Sequence, residues 1–111
     1  MTVTVTVLVP AQTINNTQTT MYTATGVTAI IDKFTATNYS AAAATISVNL
    51  VTAGGTAGNN DLIVKTKTLQ ASETYTFPEL VGHVLNPGGF ISTIAGTASA
   101  INIRVSGRVV T

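Results

Sequence analysis

His83 is the only histidine in the chain. Glu79 lies four residues earlier, so one helical turn would set the two side chains together as a metal or acid–base pair. A zinc site needs three or four protein ligands. The chain has no cysteine and no second histidine to supply them, so Glu79 and His83 read as a structural or surface pair. Asp32-Lys33 follows Ile30-Ile31 inside an apolar run. Strict alternation would set Asp32 on the face of Ile30 and Phe34, where a carboxylate is costly unless paired. The expectation is a bulge that turns Asp32 outward, or a partner in a nearby Arg or Lys. Asp61 and Glu73 stand apart. No nucleophile-elbow sequence surrounds Ser99 or Ser106, and Gly54-Gly55 and Gly88-Gly89 lack the Lys-Ser/Thr and helix of a phosphate-binding loop. No catalytic residue, cofactor or metal site is expected, and the chain does not read as an enzyme.

Four of the five basic residues are Lys65, Lys67, Arg104 and Arg108. Residues two apart on a strand share a face about 7 Å apart. If the two strands are neighbours, the four charges form a small basic strip. Such a strip would either protect a sheet edge, as Lys commonly does, or dock an acidic partner surface.

The elements that must carry these residues follow from composition. Five Lys/Arg and four Asp/Glu make nine formal charges in 111 residues, with a net charge of +1. A folded monomer of this mass exposes roughly 5,800 Å², or about one charge per 600 Å² by the same scaling. That is well short of an ordinary soluble exterior. Five scattered basic residues neutralise too few phosphates for nucleic-acid binding. A hydrophobic fraction of 45% is too high for a disordered chain, and the absence of cysteine excludes a disulfide scaffold. No apolar run is long enough for a membrane-spanning helix. The N-terminal run has neither the basic region nor the continuous apolar stretch of a secretion signal. Asn15-Asn16-Thr17 and Asn38-Tyr39-Ser40 fit the N-glycosylation pattern, but without such a signal they read as chance matches. The chain reads as one domain, 1–111, destined for an assembly.

Threonine is about a fifth of the chain, and β-branched residues favour pleated surfaces over helices. Thr2 to Val9 alternates, with Val3, Val5, Val7 and Val9 on one face and Thr2, Thr4 and Thr6 on the other; Pro10 closes the run. Further strands are expected at 19–25, 27–37, 44–50, 62–69, 72–77, 90–95 and 98–110. Ala44, Ile46, Val48 and Leu50 form an inward face, as do Ile101, Ile103, Val105, Gly107 and Val109. Gly54 to Asn60 reads as a loop. In Asn86-Pro87-Gly88-Gly89 the proline presets φ at the second turn position and Gly88 supplies a positive φ at the third. Residues 40–44 have the composition of one helical turn but are short and lie between two strand patterns, and residues 79–85 read as either a helical turn or an irregular crossover. The pattern predicts an all-β fold, an Ig-like or jelly-roll sandwich of eight or nine short antiparallel strands.

Ile30-Ile-Asp-Lys-Phe-Thr-Ala-Thr-Asn38, Ala44 to Leu50, Leu69-Gln-Ala-Ser-Glu73, Pro78-Glu-Leu-Val-Gly-His-Val-Leu85, Pro87-Gly-Gly89 and Ile101-Asn-Ile-Arg-Val-Ser-Gly107 follow in an order that resembles a family of small tailed-bacteriophage virion proteins. The resemblance covers residues 27–111 and rests on the order and spacing of the turns. It implies a β-sandwich mounted on a virus particle, with no catalytic residues to transfer. The first strand, within residues 1–10, lies outside it and is free to pair with a partner's sheet edge.

The expected role is a capsid decoration, or cement, protein. It would be made in the bacterial cytoplasm and held on the capsid exterior by the major capsid protein, as a homo-oligomer of two or three copies, with no nucleic acid or membrane involved. A tail, neck or baseplate accessory protein is the first alternative. A host-carbohydrate-binding module using Tyr22 and Tyr39 is the second. The residues expected to contact the partner are Thr2, Val3, Thr4, Val5, Thr6 and Val7, the loop residues Gly54, Gly55, Asn59 and Asn60, and Arg104 with Arg108.

Overall fold

The computed structural model describes all residues 1–111. Nine strands form: β1 (Val3–Thr13), β2 (Thr19–Thr23), β3 (Thr28–Asn38), β4 (Ala44–Val51), β5 (Leu62–Leu69), β6 (Thr74–Thr76), β7 (Val84–Leu85), β8 (Phe90–Ala95) and β9 (Ile101–Val110). One sheet runs β1-β9-β3-β6, with β7 also beside β3, and the other runs β2-β8-β4-β5. Every pairing is antiparallel. Because β6 and β7 lie along the same side of β3, they fill one edge position. The pairs β1–β9, β2–β8, β3–β6/β7 and β4–β5 are then nested, as in one long hairpin rolled over on itself. That is the jelly-roll arrangement, and it decides between the two sandwiches the sequence allows.

The core between the sheets is a single cluster of 22 buried residues, almost all aliphatic. Its aromatic part is small: Phe77 meets Phe34 edge-on at 5.2 Å, and Tyr75 meets Phe77 at 4.8 Å. The inward faces of β4 and β9 are as expected, with Ile46, Val48, Ile101, Ile103 and Val105 all buried. The turn at Asn86–Gly89 also forms. Gly88 has φ +88°, and the Gly89 N–H donates to the Asn86 carbonyl at 2.8 Å.

One expectation is corrected and two open segments are resolved. Strand β1 does not stop at Pro10 but continues to Thr13, because a proline without an N–H is tolerated on an edge strand beside a bulge. Residues 40–43 form bends between the two strands, and of the two readings for 79–85 the turns found there fit the irregular crossover. Asn38 fixes the first of these: its amide donates to the carbonyls of Ala42 (2.8 Å) and Leu69 (3.0 Å), and its oxygen accepts from the Ser40 N–H and hydroxyl. In the second, Glu79 accepts from the Tyr75 hydroxyl at 3.4 Å. His83 is exposed, and its backbone carbonyl accepts from the Ile31 N–H at 3.0 Å.

Candidate partner interface

The first strand carries the largest departure from the alternating pattern. Val7 lies opposite Ser106 and Val9 opposite Val105, so Leu8 is an extra residue in β1. A bulge of this kind breaks the two-residue period. Leu8 and Val9 both turn inward and are buried, which sends the preceding valines to the other face. Val3, Val5 and Val7 are 53%, 79% and 41% exposed. The four valines therefore do not share one face. The trace in the sequence is the unbroken apolar triplet Val7-Leu8-Val9.

On the outer face, the cross-strand rows are Val3–Val110–Thr28, Val5–Arg108–Ile30–Val84 and Val7–Ser106–Lys33. Val84 is also about half exposed. Residues directly opposite on neighbouring strands place their Cβ atoms about 5 Å apart, so the aliphatic side chains of β1, Ile30, Val84 and Val110 share one face with Arg108, Ser106 and Lys33. Ile30, Val84 and Val110 belong to this surface only through pairing; no local pattern marks them.

Arg108 is a charged group at the centre of this face, with Asp32 and Lys33 on the neighbouring strand. Its Nε donates to Asp32 Oδ2 and its second terminal nitrogen to Asp32 Oδ1, both at 2.9 Å. The hydrogen bonds to Asp32 and its charge hold the guanidinium pKa above the ordinary arginine value. Asp32 is exposed, and β3 slips register between Ile31 and Lys33. Both the bulge and the basic partner expected for Asp32 are present. The consequence is that Arg108 is already occupied by a carboxylate of its own chain.

The basic strip does not form. β5 and β9 lie in different sheets. Nor do Lys65 and Lys67 share a face. Val64 is opposite Val48 and Lys67 is opposite Ile46, so an extra residue in β5 breaks the alternation there, with Thr66 at φ +45°. Lys67 enters the open mouth between the sheets, with Nζ 4.5 Å from the Tyr75 ring centre. Arg104 stays exposed on the outer face of β9, opposite Thr35.

The loop containing Gly54, Gly55, Asn59 and Asn60 is on the opposite side of the molecule from the valine face. It folds over the outer face of β4. The Asn49 amide donates to the Gly58 carbonyl (2.9 Å) and to Asp61 Oδ1 (2.6 Å), and Gln18 donates to Ser92 Oγ at 2.7 Å. Asn49 and Ser92 point outward from the sheet yet are buried beneath the loop and Gln18, and the buried Ser47 hydroxyl accepts from the Thr66 N–H at 2.8 Å. The hydrogen bond from Asn49, then the backbone bond at Gly58, hold the Asp61 carboxyl below its ordinary pKa. Thr2 to Val7 and the loop therefore do not form one site. Tyr22 lies on β2, and Tyr39 follows the end of β3, a strand of the other sheet.

The free edge coincides with the valine face. Thr2 and Thr111 exchange two backbone bonds, at 3.0 and 2.9 Å. In an antiparallel pair such residues alternate with residues whose N–H and C=O point away. Thr4 and Thr6 therefore bond to β9, while the backbone groups of Val3, Val5 and Val7 face outward along an edge with no neighbouring strand. Compared with known protein families, with characterised proteins and with solved structures, the chain matches none.

Proposed function

We propose that this chain is a structural subunit of a larger particle, a capsid decoration protein of a tailed phage that docks on the major capsid protein through the outer face of β1, β9 and β3. The observation that carries the reading is the set of exposed valines at 3, 5 and 7 beside Ile30, Val84 and Val110. Contiguous apolar surface on an otherwise folded domain marks a contact site. The low charge supports the same reading, since nine charged groups share 5,581 Å² of surface. The jelly-roll is used by viral capsid domains and by lectins; this is analogy of fold, and function rests on the surface itself. Many weak contacts repeated around a shell would sum to strong retention through avidity.

The test uses particles of a phage that encodes the chain. Quantitative mass spectrometry should find it in numbers comparable with the shell subunit. The variant Val3→Thr/Val5→Thr/Val7→Thr keeps β-branched residues and the backbone edge but removes apolar surface. It should fold normally and be lost from the particles. A copy number matching a single ring would move the protein to the neck or tail, and full retention of the variant would refute docking by the valine face.

A further inference from the structure

We propose that the free edge of β1 takes a second copy of this chain, with the two Val3–Val7 segments pairing antiparallel about a two-fold axis at Val5. This concerns the strand edge and is independent of the docking proposed for the face. Sheet edges are normally blunted by shortness, bulges, proline or inward-pointing charge. Three of the four edge positions here are protected in this way. β6 has three residues and β7 two. β2 has five residues with a register slip between Thr20 and Tyr22. β5 is bulged and carries Lys67 on its inward side. In β1 the bulge and Pro10 come only after Val7. Val3–Val7 is regular, uncharged and rich in β-branched residues.

The segment is complementary to itself. Around Val5, Val3 faces Val7 of the second copy, Thr4 faces Thr6 of the second copy, and Val5 faces Val5 of the second copy. All three residues with outward-facing backbone groups then meet one another. Each such pair exchanges two bonds, giving about six. A centre at Thr4 or Thr6 would instead leave one of the three valines outside the matched set. Charge points to the same occupant. No charged side chain precedes Asp32, and the chain carries only +1 overall, so nothing selects an oppositely charged partner and little repels a copy. The two Arg108 residues would be three strand spacings apart, about 14 Å, and each is already paired with its own Asp32. The arrangement is isologous, so it closes as a dimer and excludes a trimer built through this edge. Five paired residues a side is well below the roughly 20–30 of a standard interface, so the dimer depends on protein concentration.

The chain has no cysteine, which makes single-cysteine variants clean reporters. Opposed residues in a bonded antiparallel pair have Cα atoms about 5.5 Å apart, within disulfide reach. Val5→Cys should therefore form a covalent dimer rapidly under mild copper–phenanthroline oxidation. Val3→Cys should not, because its two copies sit four residues out of register. Sedimentation velocity should show the unmodified protein moving from monomer to dimer as concentration rises, and Val5→Lys remaining monomeric with an unchanged melting temperature. Equal cross-linking of Val3→Cys and Val5→Cys would overturn the register. A monomer at all concentrations, or open-ended oligomers, would overturn the proposal. These assays use the isolated protein, so their failure is distinguishable from failure of particle docking.

Discussion

Gly107→Ala offers a sharp test of the packing around the β1 bulge. Gly107 lies in β9 between Thr6 and Ile31, on the inward side where both neighbouring strands slip register. A Cβ added there would collide with the backbone carbonyl oxygen of Ile30 and come within 3.0 Å of Leu8 Cδ1. Leu8 can rotate away, but the Ile30 carbonyl belongs to the interior strand β3 and cannot move without disturbing its pairing with β9. Forced overpacking of this kind costs about 1–3 kcal/mol, sometimes more, and a rigid backbone obstacle places Gly107→Ala near the top of that range. The reduced freedom of the unfolded chain offsets about 0.4–1 kcal/mol, leaving a net loss of about 2 kcal/mol. For 111 residues, at about 2.1 cal/mol/K of unfolding entropy per residue, that corresponds to a fall in Tm of about 8–9 °C. Circular dichroism melts, with urea unfolding as a second measure, would read it. Adding Leu8→Ala should relieve only the side-chain part, so most of the Gly107→Ala penalty persists in the double variant. A Tm equal to that of the parent, or complete rescue by Leu8→Ala, would refute the reasoning.

Other sites give independent outcomes. Thr93 faces the core opposite Val48, and its hydroxyl is buried without a partner; Thr93→Val should stabilise the fold by about 1–2 kcal/mol, seen as a higher urea midpoint. Asn38→Ala removes the bonds to the Ala42 and Leu69 carbonyls and frees the 40–43 bend, with an expected loss of about 2 kcal/mol in the same assay. Asp61 has a folded pKa below its ordinary 3.8. Its contribution is therefore complete above that value and is lost as pH falls below it toward the folded pKa. Asp61→Asn should flatten this acid limb of the stability profile without altering the slope near neutral pH, and an unchanged acid limb would count against the Asn49–Asp61 contact.

Local chemistry was enough for some features. Leu62–Leu69 and Phe90–Ala95 have the bounds that their β-branched runs predict. The turn at Asn86–Gly89 follows from the φ values that proline and glycine allow. Asp32 breaks an apolar run, and a buried carboxylate is costly, so its outward bulge and its arginine partner were both foreseeable in kind. Which arginine was not, because Asp32 and Arg108 are 76 residues apart.

Tertiary structure alone decided what alternation leaves symmetric. A period of two says that two faces differ, but a single extra residue exchanges them. Leu8 does this in β1, exposing Val3, Val5 and Val7; the residue added in β5 does it again, separating Lys65 from Lys67. The burial of Asn49 depends on a loop that folds back over its sheet, and the status of β1 as an edge depends on its sole strand partner, β9, being at the far end of the chain. That the protein is built of short strands follows from its residue types, because steric preferences act within a few residues. Which of those strands meet, and which surface is left open, was decided by contacts between residues distant in the chain.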